Sequence, residues 1–177
     1  MRIEDIVVGD YQTNCYILDI NNEVLIIDPG DESNNIINTI GNRKVLGVLV
    51  THTHEDHIGA IPDVTDKFKC PIYDRYNLDE GEHEIGPFKF DVIYTPGHID
   101  DQIVFYFKQD KIMFVGDFIF KNSIGRTDLP KGDEMDMKAS ILKILEYPKD
   151  IKIYPGHGES TTLKEEENIL KYFFEVL

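Results

Sequence analysis

Apolar residues fall into two rhythms along this chain. Short runs rich in branched and aromatic residues predict β-strands at Ile3–Val8, Cys15–Asp19, Val24–Ile27, Val45–Val50, Phe88–Tyr94, Ile103–Phe107, Ile112–Val115 and Ile151–Tyr154. Apolar positions three and four apart predict helices over Asn34–Ile40, His57–Phe68, Met135–Leu145 and Leu163–Val176. Ser33 is placed to cap the first helix and Asp133 the third. The early strands follow one another too closely for intervening helices, so they read as antiparallel hairpins, with Asn21-Asn22 as one turn. Strands and helices mix in the later half. The pattern predicts an α/β layered domain, mixed sheets covered by helices.

Composition narrows this picture. The 177 residues are 41% hydrophobic, enough for a single domain with a real core and no disulfide framework. Cys15 and Cys70 stand far apart, form no Cys-x-x-Cys pair and read as reduced thiols. The net charge of −15, with no basic cluster, repels phosphate backbones and removes nucleic acid as an expected partner. The charged N-terminus reads as no signal peptide, and no apolar run approaches membrane-spanning length. A cytoplasmic protein with a small-molecule substrate is the expectation. The oligomeric state is open; Tyr172-Phe173-Phe174 suits packing on the core or on a partner chain.

The chemistry lies in the histidines. Five of the six fall in three islands: Thr51-His52-Thr53-His54-Glu55-Asp56-His57, then His98, then His157. The last two each follow Pro-Gly. A fourth island, Phe114-Val115-Gly116-Asp117, sets an aspartate after an apolar run. Each island follows a predicted strand, and in layered α/β folds sites gather at the carboxyl ends of strands. His52 and His54, two apart, share a face while the chain stays extended. Asp56 and His57 come where the chain turns toward helix and aim elsewhere. One segment can therefore serve two metal ions, which in hydrolytic pairs sit ~3.5–4 Å apart. Glycines at 97, 116 and 156 allow tight bends and close backbone approach. His83 lies outside the pattern and reads as an exposed residue in a turn-rich stretch.

These islands resemble the metallo-β-lactamase superfamily, whose motif is His-x-His-x-Asp-His followed by separate His, Asp and His. Ile27-Asp28-Pro29-Gly30 and Asn14-Cys15-Tyr16 are similar to the family's early segments. The resemblance implies a four-layer αββα sandwich with the site at one edge of two mixed sheets. It implies that His52, His54 and His98 hold one metal ion, that Asp56, His57 and His157 hold a second, and that Asp117 bridges them. Asp28 then orients the ligand loop without touching metal. Imidazole and carboxylate donors suit zinc foremost, and iron or manganese as well.

Within the family, Gly116–Pro130 and Tyr154–Thr162 resemble the glyoxalase II-like branch, which hydrolyses acyl thioesters such as S-lactoylglutathione. The resemblance implies attack by a hydroxide bridging two ions, with Asp56 as ligand and acceptor of the attacking water's proton. About 20 residues follow His157, one helix, so a single domain over residues 1–177 without a C-terminal glutathione-binding domain is expected. Pro-Gly-His is followed here by Ile99-Asp100-Asp101-Gln102, a departure that sets two carboxylates near the mouth. Arg126 reads as a loop anchor for Asp128 or as a substrate-carboxylate partner. Lys121 is a further candidate for substrate contact. The alternatives are an iron-dependent persulfide dioxygenase using His52, His98 and Asp117, a lactone or other ester or amide hydrolase of this fold, and a non-catalytic metal-binding module.

Overall fold

The structure, a computed structural model, describes residues 1–176. Strands β1 (Arg2–Val8), β2 (Thr13–Ile20), β3 (Glu23–Ile27), β4 (Lys44–Leu49) and β5 (Ile72–Tyr73) form one sheet in that order. Its first pairs are antiparallel; β3–β4 and β4–β5 are parallel. The β2–β3 hairpin turns on Asn21 and Asn22, whose φ angles of 54° and 66° give the left-handed pair that a tight hairpin requires. The second sheet uses β6 (Gly81–Ile85), β7 (Phe88–Tyr94), β8 (Ile103–Phe107), β9 (Ile112–Gly116), β12 (Lys152–Pro155) and β13 (Thr161–Thr162), in the order β13-β12-β9-β8-β7-β6. A small hairpin, β10 (Ile119–Phe120) and β11 (Ser123–Ile124), stands apart.

Strand periodicity builds the layers. In β2, Tyr16 and Leu18 point to the second sheet, where they meet Phe88, Phe105 and Phe114. Cys15 and Ile17 point the other way, toward helices α1 (Ser33–Ile40) and α3 (Ile61–Phe68). On the far side, Val104, Met113 and Ile153 meet Met137 and Ile141 of α4 (Glu134–Leu145) and Leu163 and Leu170 of α5 (Leu163–Val176). Three apolar interfaces separate four layers, an αββα sandwich. Because both sheets are covered on both faces, β8 is buried at every position.

Three sequence expectations need correction. The helix expected over His57–Phe68 is two pieces, α2 (Glu55–Ile58) and α3. Pro62 lacks the N–H that would bond back to Ile58, and Gly59 lies so close to the Gly30 carbonyl that a Cβ would come within 2.4 Å of it. Ser33 does not cap α1: Glu32 holds that position, and the Ser33 hydroxyl donates to Asp63 at 2.8 Å. Asp133 does cap α4, accepting from the amides of Met135 and Asp136. His83 is on strand β6, half-buried against Phe90, with Nε2 2.8 Å from the Asp79 carbonyl oxygen. Glu166 is buried and accepts from Thr161 Oγ1 at 2.6 Å and Asn122 N at 2.7 Å. Phe173 and Phe174 pack partly on the core, while Tyr172 stays exposed. Among the described residues no helix is long and apolar enough to cross a membrane.

Candidate metal centre

The two sheets bring their strand ends together at one edge. β3 leads into Asp28 and β4 runs into the loop of His52 and His54. From the opposite sheet, β7 leads to His98, β9 to Asp117 and β12 to His157. Asn14 ties the sheets across this edge: its amide donates to the Gly156 carbonyl at 2.7 Å and its side chain to the carbonyls of Pro155 and Gly158. Gly156 packs so closely that a Cβ there would lie 2.3 Å from Asp117 Oδ1 and 2.7 Å from the His57 ring. Only hydrogen fits.

All seven expected ligands converge. His52, His54 and His98 form one cluster, and Asp56, His57 and His157 another, the donor atoms within 4.8 Å of one another in each. Asp117 lies between them: Oδ1 is 3.3 Å from His57 Nε2, and Oδ2 is 3.3 Å from His157 Nε2 and 3.6 Å from His98 Nε2. Asp56 Oδ2 is 3.2 Å from His157 Nε2 and 3.4 Å from His57 Nε2.

Outer partners fix which nitrogen faces the pocket. Carbonyl and carboxylate oxygens only accept, so Nδ1–H of His98 donates to the Arg126 carbonyl at 2.8 Å and Nδ1–H of His157 to the Tyr11 carbonyl at 2.9 Å. His57 Nδ1–H donates to Asp28 Oδ2 at 2.9 Å. Thr51 spends its only hydroxyl proton on Asp28 Oδ2 at 2.6 Å, so it accepts from His52 Nδ1–H at 3.1 Å. All four rings therefore turn Nε2 inward. His54 alone presents Nδ1, 3.0 Å from His98 Nε2.

This arrangement fits metal ions. His52 Nε2, His57 Nε2 and Asp117 Oδ1 are buried without any hydrogen-bond partner, and all belong to this pocket. Among the described residues neither Asp56 nor Asp117 pairs with Lys or Arg. Positive charge must come from bound cations or from protons on the imidazoles. The two clusters differ in that respect. Burial, reinforced by His57, drives the pKa of His52 well below its usual value, and burial with His98 lowers His54. Burial also opposes charge on His57 and His157, but Asp117 with Asp28, and Asp117 with Asp56, outweigh it and carry both up to about 10. Burial opposes charge on Asp56, yet His157, His57 and Thr13 bring it down to about 2; histidines hold Asp117 lower still.

Asp28 also lies within reach of His52 and His57 as a donor group. Its oxygens are already taken by Thr51 N at 2.8 Å, Thr51 Oγ1 and His57 Nδ1, so it orients two rings. Arg126 turns its guanidinium to the exposed Asp128 in a two-toothed pair of 2.6 and 2.7 Å. Lys121 pairs with Glu159 at the surface. Of the two carboxylates after His98, Asp100 is exposed and pairs with Lys131, whereas Asp101 is buried. Beside Asp56 opens a groove of about 520 Å³ lined by Val8, Asp10, Tyr11, Asp31, Glu55 and Pro62.

Sequence reasoning missed Thr13, whose hydroxyl donates to Asp56 Oδ2 at 2.9 Å, together with Thr51 and the Thr53–Asp101 pair. The departure after Pro-Gly-His was the one signal available for Asp101.

The sandwich and its convergent His/Asp pocket, a donor set suited to divalent ions, are those of the metal-dependent hydrolases. The chain belongs to the metallo-beta-lactamase superfamily, whose family model matches residues 8–80 and 73–157. It is 34% identical over 204 residues to the hydroxyacylglutathione hydrolase GloC of Haemophilus influenzae, covering 94% of this chain and 95% of that protein. The crystal structure of the BLEG-1 B3 metallo-beta-lactamase matches with a TM-score of 0.91 at 32% identity, over 97% of this chain and 99% of that one. TTHA1623 in a di-iron-bound form matches with a TM-score of 0.86 at 28% identity, over 94% and 98%.

Proposed function

We propose that this chain is a glyoxalase II-like thioester hydrolase acting on S-lactoylglutathione or a similar acyl thioester. The observation that carries the metal-dependent part is the set of buried unpartnered atoms, His52 Nε2, His57 Nε2 and Asp117 Oδ1, facing one pocket. In this reading His52, His54 and His98 hold one divalent ion, Asp56, His57 and His157 hold a second, and Asp117 serves both. Bound there, the ions supply Lewis acidity, which acidifies water and polarises a carbonyl. Zinc is the first choice, and the same donors accept iron or manganese.

The chain's own residues do the rest. Asp28 and Thr51 keep the rings of His52 and His57 in the tautomer that turns Nε2 inward. Asp56, braced by Thr13, lies at the groove and is the acceptor for the proton of the attacking water. In this reading no residue serves as a separate general acid. That suits a thiolate leaving group, whose conjugate thiol ordinarily has a pKa of about 8.5, better than an amine. The full-length similarity to a hydroxyacylglutathione hydrolase supports the thioester. Lys121 and Arg126, each tied to an acid, are anchors of the loop.

The test is an assay panel on defined zinc, iron and manganese forms. It follows thiol release from S-lactoylglutathione and oxygen uptake with glutathione persulfide. Thiol release from the thioester is expected. Oxygen uptake without thioester hydrolysis overturns the reading in favour of a dioxygenase, and inertness of every metal form toward all thioesters overturns it in favour of another ester or lactone hydrolase or a binding module.

A further inference from the structure

Asp101 is a buried acid to which the roles above give no task. Its residue is 2% exposed, beside a pocket already rich in carboxylates. Both oxygens turn to Thr53, the residue between His52 and His54. The Thr53 amide donates to Oδ1 at 3.3 Å and the Thr53 hydroxyl to Oδ2 at 2.5 Å. Among the described residues no Lys, Arg or His forms an ion pair with it, whereas its neighbour Asp100 reaches out to Lys131.

An ionised carboxylate taken out of water needs a compensating charge nearby. Two hydrogen bonds from one threonine give each oxygen a single partner and bring no charge. Beside Thr53 stands a place built to carry positive charge, the cluster of His52, His54 and His98. That cluster has three imidazole nitrogens and no acid of its own, since Asp117 is shared with His57 and His157. The other cluster has Asp56 of its own, while Asp28 stands behind both clusters, at His57 directly and at His52 through Thr51.

We propose that Asp101 is the positioning residue and counter-charge of the ion held by His52, His54 and His98. It clamps the backbone between the two histidines and supplies the negative charge that the three-histidine set lacks. The inference rests on the reading that these histidines hold an ion.

The test compares wild type, Asp101→Asn and Thr53→Val as full-length chains. Asparagine keeps the shape and an acceptor for the Thr53 amide but removes the charge. Zinc is titrated against a chromophoric chelator to resolve two stepwise dissociation constants, and thermal unfolding is followed with and without zinc. Asp101→Asn is expected to weaken one constant about tenfold or more and leave the other within about twofold. The zinc-depleted Asn variant should be at least as stable as depleted wild type, because a buried uncompensated charge is gone. Thr53→Val, which retains the charge, should weaken the same constant by less. Cobalt substitution should show the nitrogen-rich site emptying first in Asp101→Asn.

Unchanged constants in a folded Asp101→Asn overturn the proposal. So does equal destabilisation with and without zinc, the mark of a purely structural residue, or a larger effect from Thr53→Val. A wild-type chain that binds no zinc instead overturns the metal assignment beneath it.

Discussion

Asp19 and Asp117 expose nearly the same small share of their surface, 7% and 8%, yet their surroundings are opposite. Asp19 lies at one end of β2, where Arg43 reaches it at 2.8 Å, Arg2 at 3.0 Å and the Asn22 amide at 3.1 Å. Asp117 lies at the other end of the sandwich, near Thr13 at the start of the same strand. It is ringed by histidines, and one oxygen has no hydrogen-bond partner. The first acid is satisfied within the protein and serves stability. The second is left wanting charge, and that deficit is the signature of a site.

The contrast breaks most visibly at Asp117. Asp117→Ala removes the group both clusters share. Metal content should fall from two ions per chain to one or fewer, and turnover by at least about 10²–10³-fold, as for loss of one main electrostatic group in a reacting site. Elemental analysis and thioester hydrolysis on the same preparation check both, and a fully loaded, fully active variant would end the shared-ligand assignment.

Asp28→Asn is the next largest. Asparagine cannot accept from Thr51 N, Thr51 Oγ1 and His57 Nδ1 as a carboxylate does. Metal affinity should drop about 10–100-fold while the fold persists. Competition with a chelator measures it. Equal affinity in the variant would show that the rings of His52 and His57 are held by packing instead.

The difference between the two aspartates also marks what was legible in the sequence. Asp117 and the five histidines could be read because ligand residue types stand at short fixed spacings after apolar runs. The four layers could be read because residues such as Tyr16 and Ile17 alternate between two apolar interfaces. β6 escaped because Gly81–Ile85 is a charged edge strand with no apolar run, its residues only half-buried or exposed. The break at Gly59 escaped because it depends on Gly30, a contact far away in sequence. Thr13 and Asp101 escaped for the same reason: they act on Asp56 and Thr53, 43 and 48 positions away.

Arg43→Met probes the satisfied aspartate. It should cost about 2 kcal/mol at neutral pH, the range for hydrogen bonds to a charged group, and leave metal content unchanged. The sign of its pH dependence follows from Asp19. The hydrogen bond from Arg43, the largest influence, holds the Asp19 carboxyl below its ordinary 3.8 against the opposing effect of burial. A depressed acid stabilises the fold above its unfolded pKa and loses that contribution as pH falls through the native value. The gap between wild type and Arg43→Met should therefore be widest above about pH 4 and close in stronger acid. Thermal unfolding across that range shows it, and a gap that widens in acid would mean that Arg43 acts on some other group.

Arg126→Gln should have the smallest effect, although Arg126 stands nearer the metal centre than Arg43 does. Its side chain is 63% exposed and its partner Asp128 68%, so water screens the pair and exchanges with it. What Arg126 gives the site is its backbone carbonyl, which accepts from His98 Nδ1–H and survives the substitution. Metal content should be unchanged and kcat/KM within about threefold for neutral and carboxylate-bearing thioesters alike. A loss confined to carboxylate-bearing substrates would place the guanidinium on the substrate. The boundary between self-satisfied and functional ion pairs would then run through Arg126 itself, because a fork geometry suited to Asp128 is equally suited to a carboxylate that arrives with the substrate.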